Sequence, residues 1–357
     1  MVSRPSWVAA STKKAAPFGI EPPSYYNQTD SPVNPRKILV TGGAGYIGSH
    51  TVRQLLREGH EVTVVDNLSK GHRHNVPEAC LFEMDLADTE SLARLMRKRR
   101  CEAVIHFAAF IAVGESMRLP SKYFVNNVSG SLSLLSAMVE TGVRHIVFSS
   151  TAAVYGDPAS SPIRENFPIQ ALNPYGESKV MVERILEWYD RIHNLTSVCL
   201  RYFNASGADP EGGLGEQHDP ETHLIPLIFR AIQTGQPLTV FGDDYPTPDG
   251  TCVRDYIHVN DLAQAHILAL EYLIQGGASE RFNVGTGIGH TVLETIRTVE
   301  AVAGKKVPYV VGPRRDGDAP ALVASSDKLR QKLGWSPKYA DLRTIVEHAW
   351  KFASKEL

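Results

Sequence analysis

Tyr175 and Lys179 stand four residues apart in the segment NPYGESK (173–179). Asn173 suits a helix N-cap and Pro174 suits the first helical position, so Tyr175 is predicted in the first turn of a helix with Lys179 one turn later on the same face. The field at a helix N-terminus and the cation of Lys179 both favour a phenolate, which is expected to lower the tyrosine pKa towards the working pH. The pair therefore has the chemistry of a general base, and an exposed aromatic residue beside a lysine is the alternative.

Hydroxyl residues occur at the end of an apolar segment that precedes this pair. HIVFSS (145–150) is predicted as a buried strand, and Ser149, Ser150 and Thr151 lie at its carboxyl end. Ligands of open α/β sheets bind outside the carboxyl ends of the strands. Thr151 is therefore expected to hydrogen-bond the reacting alcohol.

A glycine-rich loop, TGGAGYIGS (41–49), joins the first predicted strand to the first predicted helix. Gly43, Gly45 and Gly48 match the pattern G-x-G-x-x-G, and Gly42, Gly45 and Gly48 match G-x-x-G-x-x-G. Such a loop lets backbone amides approach a pyrophosphate at a helix N-terminus. No Gly-Lys-Ser/Thr follows, which excludes a Walker phosphate loop.

Two acidic residues end the next two predicted strands. Asp66 ends the second strand, where a carboxylate accepts hydrogen bonds from the adenosine ribose hydroxyls and repels a 2′-phosphate. This position favours NAD over NADP, with a plain turn residue as the alternative. Asp85 ends the third strand and is assigned to the adenine, with a turn or capping acid as the alternative.

The elements that must position these residues follow an alternating order. Helix-like segments, the first at about residues 47–58, separate most of the apolar segments before residue 204. This order predicts right-handed crossovers and a mainly parallel sheet covered on both faces. The predicted strands are KILVTG (37–42), EVTVVD (61–66), CLFEMD (80–85), EAVIHFAA (102–109), HIVFSS (145–150) and TSVCLRYF (196–203).

Beyond residue 204 the regular alternation of predicted strands and helices ends. A long loop rich in Gly, Asp, Glu and Pro (205–222) precedes three short strands at 238–242, 254–259 and 281–287. We predict an α/β protein with a Rossmann-type doubly wound parallel sheet and a smaller C-terminal α/β lobe that binds substrate. The predicted parts are a tail (1–35), a dinucleotide-binding domain (36–204) and the lobe (205–357), some of whose elements return to the Rossmann core.

Composition narrows the classes of function. The chain has 357 residues and a formal net charge of −2, so no basic excess is present to hold a nucleic-acid backbone. No apolar run reaches the length of a membrane span. The four cysteines are scattered with no Cys-x-x-Cys pair, and we therefore expect neither a metal site nor a disulfide framework. A reducing, cytoplasmic compartment fits this cysteine usage.

The first 35 or so residues are rich in Ser, Pro and Ala and show no clear apolar period. They lack the continuous apolar core of a secretory signal. A flexible tail, or a start codon placed too far upstream, is the main interpretation. An organelle transit peptide is the alternative.

Longer motifs resemble the extended short-chain dehydrogenase/reductase superfamily and, within it, the family of UDP-glucose 4-epimerases, also called UDP-galactose 4-epimerases. The resemblance runs from about Lys37 to near Trp350, and DYPTPDGTCVRDYIHV is its most discriminating piece. The motifs that carry it are TGGAGYIGSHT, VDNLSKGH, VIHFAAFIAVGES, FSSTAAVYGD, NPYGESK, LRYFNASGA, FGDDYPTPDGTCVRDYIHV and RRDGD.

The resemblance implies a redox-neutral reaction on a UDP-sugar. Tyr175 would remove the proton of the sugar 4′-hydroxyl, with Thr151 in the hydroxyl position and Lys179 tuning the base. Hydride would pass from sugar C4 to tightly held NAD and return to the other face of a 4-keto sugar. A homodimer is implied in the same way.

Further residues match family positions one by one. Arg254 and Arg315 also suit a diphosphate on chemical grounds, with surface ion pairs as the alternative. The implied cofactor contacts are Gly42, Gly45, Tyr46, Ile47, Gly48, Asp66, Asn67, Asp85, Leu86, Phe107, Ala108, Ala109, Asn126, Ser149, Tyr175, Lys179 and Tyr202. The implied UDP-sugar contacts are Thr151, Tyr175, Asn204, His223, Leu224, Thr239, Val240, Phe241, Arg254, Tyr256, Arg315 and Asp318.

Three positions depart from the family pattern. Ile111 stands where many bacterial members carry a lysine near the cofactor phosphates, and Thr151 replaces the more usual serine. Leu322 is intermediate between a large tyrosine, which restricts the sugar pocket, and smaller residues, which admit N-acetylated sugars. UDP-N-acetylhexosamines therefore stay an open alternative.

Other activities were weighed against the same residues. A UDP-xylose/UDP-arabinose 4-epimerase shares nearly all the motifs. A dehydratase of nucleotide sugars needs an acid/base pair after the strand-five hydroxyl, where Ala152 and Ala153 stand here. A decarboxylase of nucleotide sugars is an alternative of the same class, a net oxidoreductase. A non-catalytic NAD-binding regulator would be expected to lose Tyr175 or Lys179, and both are present.

Overall fold

Seven strands form the central sheet, in the order β10-β6-β5-β4-β1-β2-β3, and every neighbouring pair is parallel. The structure, a computed structural model, describes residues 34–315 and 318–356. The strands of this sheet are β1 (Lys37–Thr41), β2 (Glu61–Asp66), β3 (Leu81–Glu83), β4 (Ala103–His106), β5 (His145–Ser149), β6 (Thr196–Tyr202) and β10 (Glu280–Val284). The fully apolar runs of β1 and β4 are buried on both faces, as a sheet covered by helices requires.

Helices connect the strands, and several of them pack against the central sheet. In chain order they are α1 (Tyr46–Arg57), α2 (Thr89–Arg99), α3 (Val113–Ser116), α4 (Pro120–Tyr123), α5 (Gly130–Thr141), α6 (Pro174–His193), α7 (Leu224–Thr234), α8 (Val259–Ile274), α9 (Val292–Ala303), α10 (Asp327–Leu333) and α11 (Leu342–Ala353). A π-helical turn (Phe124–Ser129) precedes α5. Short 3₁₀ turns lie at Arg73–Asn75, Glu78–Cys80, Ala152–Tyr155 and Ser354–Glu356.

Six smaller strands follow residue 203. In this C-terminal part β9 (Val253–His258) pairs with β7 (Asn204–Ser206), β11 (Gly289–Thr291) and β13 (Ala321–Leu322), and β8 (Leu238–Phe241) pairs with β12 (Tyr309–Gly312). A separate apolar cluster, formed largely by α7, α9 and α11, supports these strands. Arg254 on β9 and Leu322 on β13 lie opposite each other in this register.

The predicted fold class is confirmed, and strand bounds agree to within a few residues. One strand differs in its place: the segment predicted at 281–287 is β10, which extends the central sheet beside β6. Phe282 and Val284 are fully buried there, because pairing with β6 places their side chains in the main apolar core. The division near residue 204 stays a prediction, because residues 35–357 form one compact unit.

Two other predictions concern the N-terminal tail and membrane-spanning segments. The tail predicted for residues 1–35 lies, except for its last two residues, outside the described residues. Within the described part, no helix combines the length and the apolar character needed to cross a membrane. The compartment stays a prediction.

Candidate active site

A cleft of about 1540 Å³ runs along the carboxyl ends of the central strands. A drug-sized ligand occupies a pocket of roughly 300–1,000 Å³, so this cleft has room for more than one large ligand. It brings together most of the predicted site, and Ile111 and Leu322 also line it. The predicted residues that line it are Gly42, Gly45, Tyr46, Ile47, Gly48, Asp66, Asn67, Asp85, Leu86, Phe107, Ala108, Ala109, Asn126, Ser149, Thr151, Tyr175, Lys179, Tyr202, Asn204, His223, Arg254, Arg315 and Asp318.

Five residues assigned to the substrate by resemblance do not line this cleft. Val240 and Tyr256 are buried in the apolar cluster of the C-terminal part, and Leu224 packs against the same cluster. Thr239 and Phe241 alternate with buried neighbours along β8 and are exposed. The period of β8 therefore sends Thr239 and Phe241 to one face and Val240 to the other. The assignment of all five residues to the UDP-sugar stays a prediction.

The glycine loop forms a backbone cradle at one end of the cleft. Gly42 has φ +69°, and a Cβ atom there would lie 2.5 Å from the backbone nitrogen of Ala108. A Cβ on Gly48 would lie 2.3 Å from the carbonyl oxygen of Gly42. Helix α1 begins after Gly45 without a side-chain cap, which leaves its first N–H groups for a ligand. The residues present thus fit a dinucleotide pyrophosphate.

Asp66 supports this cradle from the end of β2. Its carboxylate accepts hydrogen bonds from the backbone nitrogens of Ala44 (3.0 Å) and Leu68 (2.9 Å). Burial raises the pKa of Asp66, and these two bonds offset only part of that rise. Asn67 donates to Asp85 at 2.9 Å, so the two acids predicted for the adenosine share one wall of the cleft.

Replacing Asp66 with asparagine is expected to weaken NAD binding by about 10- to 150-fold, because a hydrogen bond to a charged group contributes about 1.5–3 kcal/mol. The measurement is titration of NAD-depleted protein with NAD. Glu83→Gln is the matched control, since Glu83 lies opposite Asp66 in the register of β2 and β3 but outside the cleft. Equal affinity for wild type and Asp66→Asn would remove Asp66 from the cofactor site.

Helix α6 places Tyr175 and Lys179 as its sequence predicts. Asn173 is the N-cap and accepts a hydrogen bond from the backbone nitrogen of Gly176 at 2.8 Å, and Pro174 is the first helical residue. The Tyr175 side chain is buried in the cleft wall and leaves 8% of the residue exposed. The alternative of an exposed aromatic residue is therefore wrong.

The electrostatics of the pair differ from the prediction. Burial raises the pKa of Tyr175, and the neighbouring Thr151 hydroxyl offsets only part of that rise. Lys179 donates to the carbonyl oxygen of Ser149 at 2.8 Å, with its ammonium 4.8 Å from the centre of the Phe148 ring. Its own burial lowers the pKa of Lys179 to about 7. In the protein alone, desolvation outweighs the helix field and the nearby cation.

The end of β5 supplies the hydroxyl groups beside this pair. The Ser149 hydroxyl lies 2.5 Å from the hydroxyl of Tyr202. Thr151 caps a 3₁₀ turn by accepting a hydrogen bond from the backbone nitrogen of Ala153 at 3.1 Å. This bond fixes the side-chain oxygen of Thr151 at the cleft wall, next to Tyr175.

Two arginines and an aspartate meet at the other end of the cleft. Arg254 donates to the carbonyl oxygen of Ala319 at 2.9 Å and lies 3.4 Å from the Asp318 carboxylate. Arg315 contacts the same carboxylate at 2.9 Å, and its guanidinium lies 4.7 Å from the centre of the Phe241 ring. Convergent guanidinium groups are suited to a diphosphate.

Sequence analysis missed several polar residues of the cleft. Lys70, Arg118 and Lys122 line it, and they supply positive charge that Ile111 cannot. Arg118 and Lys122 come directly after the motif VIHFAAFIAVGES, and this proximity is a signal that could have found them. Glu216 lines the cleft as well, in the long loop predicted at residues 205–222.

Comparison with known proteins agrees with this geometry. The model of the NAD dependent epimerase/dehydratase family matches residues 38–285. A UDP-glucose 4-epimerase of Lacticaseibacillus casei is 50% identical over 317 residues, which are 88% of this chain and 96% of that protein.

Two solved structures share the fold. UDP-glucose 4-epimerase from Brucella ovis in complex with NAD is 47% identical, with a TM-score of 0.87 over 89% of this chain and 98% of that chain. The enzyme from Bifidobacterium longum in complex with NAD⁺ and UDP is 37% identical, with a TM-score of 0.84 over 89% and 98% of the two chains. The predicted resemblance is confirmed, and the chain belongs to the NAD dependent epimerase/dehydratase family.

Proposed function

We propose that the protein interconverts UDP-glucose and UDP-galactose by inverting the sugar at C4 through a 4-keto intermediate. One observation carries the proposal: the glycine cradle, the buried Tyr175 and the two convergent arginines line one cleft. Membership of the family confirms the prediction of NAD as the cofactor. The names of the relatives supply the sugar class, which the cleft has the room to bind.

Tyr175 is the proposed general base for the 4′-hydroxyl proton. Thr151 lies beside it at the cleft wall and is placed to orient the same hydroxyl group. Because burial raises the pKa of Tyr175, its hydroxyl keeps its own proton in the protein alone. A positive charge close by is needed to favour the phenolate, which can then accept the proton of the sugar hydroxyl. Bound NAD would supply the hydride acceptor and donor. The positive charge of its oxidised form would favour the Tyr175 phenolate.

Lys179 and Ser149 stabilise the arrangement around this base. The hydrogen bond from Lys179 to the Ser149 carbonyl holds α6 against the end of β5. This contact fixes the distance between the helix that carries Tyr175 and the strand end that carries Thr151. Preorganisation of this kind lowers the entropy that the reaction must lose.

Arg254 and Arg315 are the proposed partners of the UDP diphosphate. Asp318 orients both guanidinium groups, which leaves N–H donors free to face the cleft. Leu322 lies on the same side of the cleft. Its size is the reason to compare hexoses, pentoses and N-acetylated sugars in one assay.

We expect purified protein to convert UDP-galactose to UDP-glucose with no NAD added, because the reaction is redox-neutral and the cofactor stays bound. Sugar nucleotides separated by chromatography give the measurement. Parallel incubations with UDP-xylose and UDP-N-acetylglucosamine rank the alternative substrates. Protein that holds NAD, as shown by absorbance, and yet forms no UDP-glucose would contradict the proposal.

We also propose a homodimer, as the resemblance implies. Exposed apolar side chains on α5 and α6, among them Leu132, Met181, Trp188 and Ile192, support this proposal. Such side chains on neighbouring helices are suited to an interface between copies. Light scattering that gives the mass of a single chain would contradict it.

A further inference from the structure

Four metal-ligating side chains meet in the loop between β7 and α7. We call Glu216, His218, Glu221 and His223 the His/Glu cluster. One ligand atom from each of the four lies within 4.8 Å of all the others. Their spacing is E-x-H-x-x-E-x-H. The scattered cysteines predicted no metal site, whereas these ligand atoms come from histidine and glutamate.

The distances within the His/Glu cluster are close to those of a tetrahedral coordination shell. His223 Nδ1 lies 2.7 Å from Glu216 Oε1 and 3.3 Å from Glu221 Oε1. His218 Nδ1 lies 3.1 Å from Glu216 Oε1 and 3.9 Å from Glu221 Oε2. Bonds of about 2.0–2.2 Å to a tetrahedral zinc ion place neighbouring ligand atoms about 3.3–3.6 Å apart. The observed distances bracket that separation.

The charges of the cluster also favour a bound cation. The side chains of Glu216 and Glu221 are only 7% and 12% exposed. Among the residues that the structure describes, the ion pairs of both glutamates are with histidines alone, and no lysine or arginine pairs with either. Two buried carboxylates need a positive partner. A divalent cation between them would neutralise both.

His223 faces both carboxylates of the cluster. Its Nδ1 atom is buried and lies within ion-pair distance of Glu216 and of Glu221. A protonated His223 would hold its Nδ1–H against these carboxylates. A metal ion of the zinc type would replace that proton, because an imidazole ligand is neutral.

We propose that the His/Glu cluster binds one divalent transition-metal ion of the zinc type. Two imidazole nitrogens and two carboxylate oxygens suit zinc and its neighbours, whereas magnesium and calcium prefer oxygen ligands alone. The ion would fasten the loop before α7 at the rim of the cleft. Tyr46 connects this loop to the glycine cradle, with its ring edge against His218 and its hydroxyl donating to the carbonyl oxygen of Gly207 at 2.6 Å.

The test uses full-length, NAD-loaded protein that has been stripped of metal with EDTA and titrated with Co²⁺. We expect saturable binding of one ion per chain, with the visible absorption bands of tetrahedral Co²⁺ and displacement by Zn²⁺. His218→Gln and Glu221→Gln each remove one ligand. Each is expected to weaken Co²⁺ binding by more than about 10-fold, because even the loss of a residue that only hydrogen-bonds to a ligand weakens metal binding by about that much. Retained NAD and an unchanged thermal unfolding midpoint show that the variants fold.

His290→Gln is the matched control, because His290 forms an ordinary ion pair with Glu294 at 2.7 Å and is expected to leave Co²⁺ binding unchanged. Absence of saturable binding by the wild type would overturn the proposal. So would binding that both cluster variants retain, since the ion would then lie elsewhere. Binding is measured without turnover, so failure here leaves the proposed epimerase activity untouched.

Discussion

Tyr175→Phe is expected to lower kcat by about 100- to 10,000-fold, the usual contribution of a positioned general base. The substitution removes a single oxygen from a buried ring at the first turn of α6. The ring keeps its packing, so the variant should fold and hold NAD as the wild type does. The measurement is steady-state turnover of UDP-galactose, with bound NAD determined by absorbance in the same samples.

Tyr189→Phe provides the matched control for this prediction. Tyr189 lies on the same helix, with its ring 5.4 Å from that of His193, and it does not line the cleft. Tyr189 is half-buried against an apolar cluster and keeps its ring in this substitution. The loss of its hydroxyl should leave kcat within about twofold of the wild type, because the residue lies outside the cleft and makes no contact that changes in the transition state. Turnover of Tyr175→Phe at the wild-type rate would remove Tyr175 as the base.

Glu183→Ala is expected to lower the free energy of unfolding by about 3–5 kcal/mol, because it leaves a buried guanidinium without its counter-charge. The side chains of Glu183 and Arg201 are 5% and 3% exposed. Glu183 accepts two hydrogen bonds from Arg201, at 2.6 and 3.0 Å, and one from Ser150 at 2.6 Å. The pair thus fixes the end of β5, next to Thr151.

Denaturant unfolding at one saturating NAD concentration measures this effect, because ligand binding itself shifts stability. Glu90→Ala is the control: its side chain is 90% exposed and it pairs with Arg94 one turn later on α2. Loss of such a surface pair should change stability by less than about 1 kcal/mol. A Glu183→Ala protein as stable as Glu90→Ala would show that Arg201 is not dependent on this charge.

Local sequence signals predicted the parts of the site that depend on near neighbours. The Asn173 cap and Pro174 locate Tyr175 in the first turn of α6, because capping involves residues three positions apart. The glycines at 42 and 48 predicted a backbone cradle, and the structure shows that a Cβ atom at either position would collide with backbone. These features need no knowledge of distant packing.

Contacts between distant segments could not be found in this way. The place of β10 in the central sheet depends on β6, which lies some 80 residues earlier, and the apolar pattern of either strand alone does not specify that pairing. The bond between Arg201 and Glu183 likewise joins β6 to α6. The spacing of residues along the sequence predicts neither the strand pairing nor the ion pair, because both join segments that are brought together only by the fold.

The sequence by itself determined the order of the strands and helices, the glycine cradle, the acid at the end of β2 and the Tyr-Lys pair with its cap. Only the tertiary structure decided in which direction the pKa values of Tyr175 and Lys179 shift. The helix field and the cation that predicted a lowered tyrosine pKa are local, whereas desolvation depends on everything packed around the side chain. Burial in the cleft wall therefore raises the pKa of Tyr175 and lowers that of Lys179.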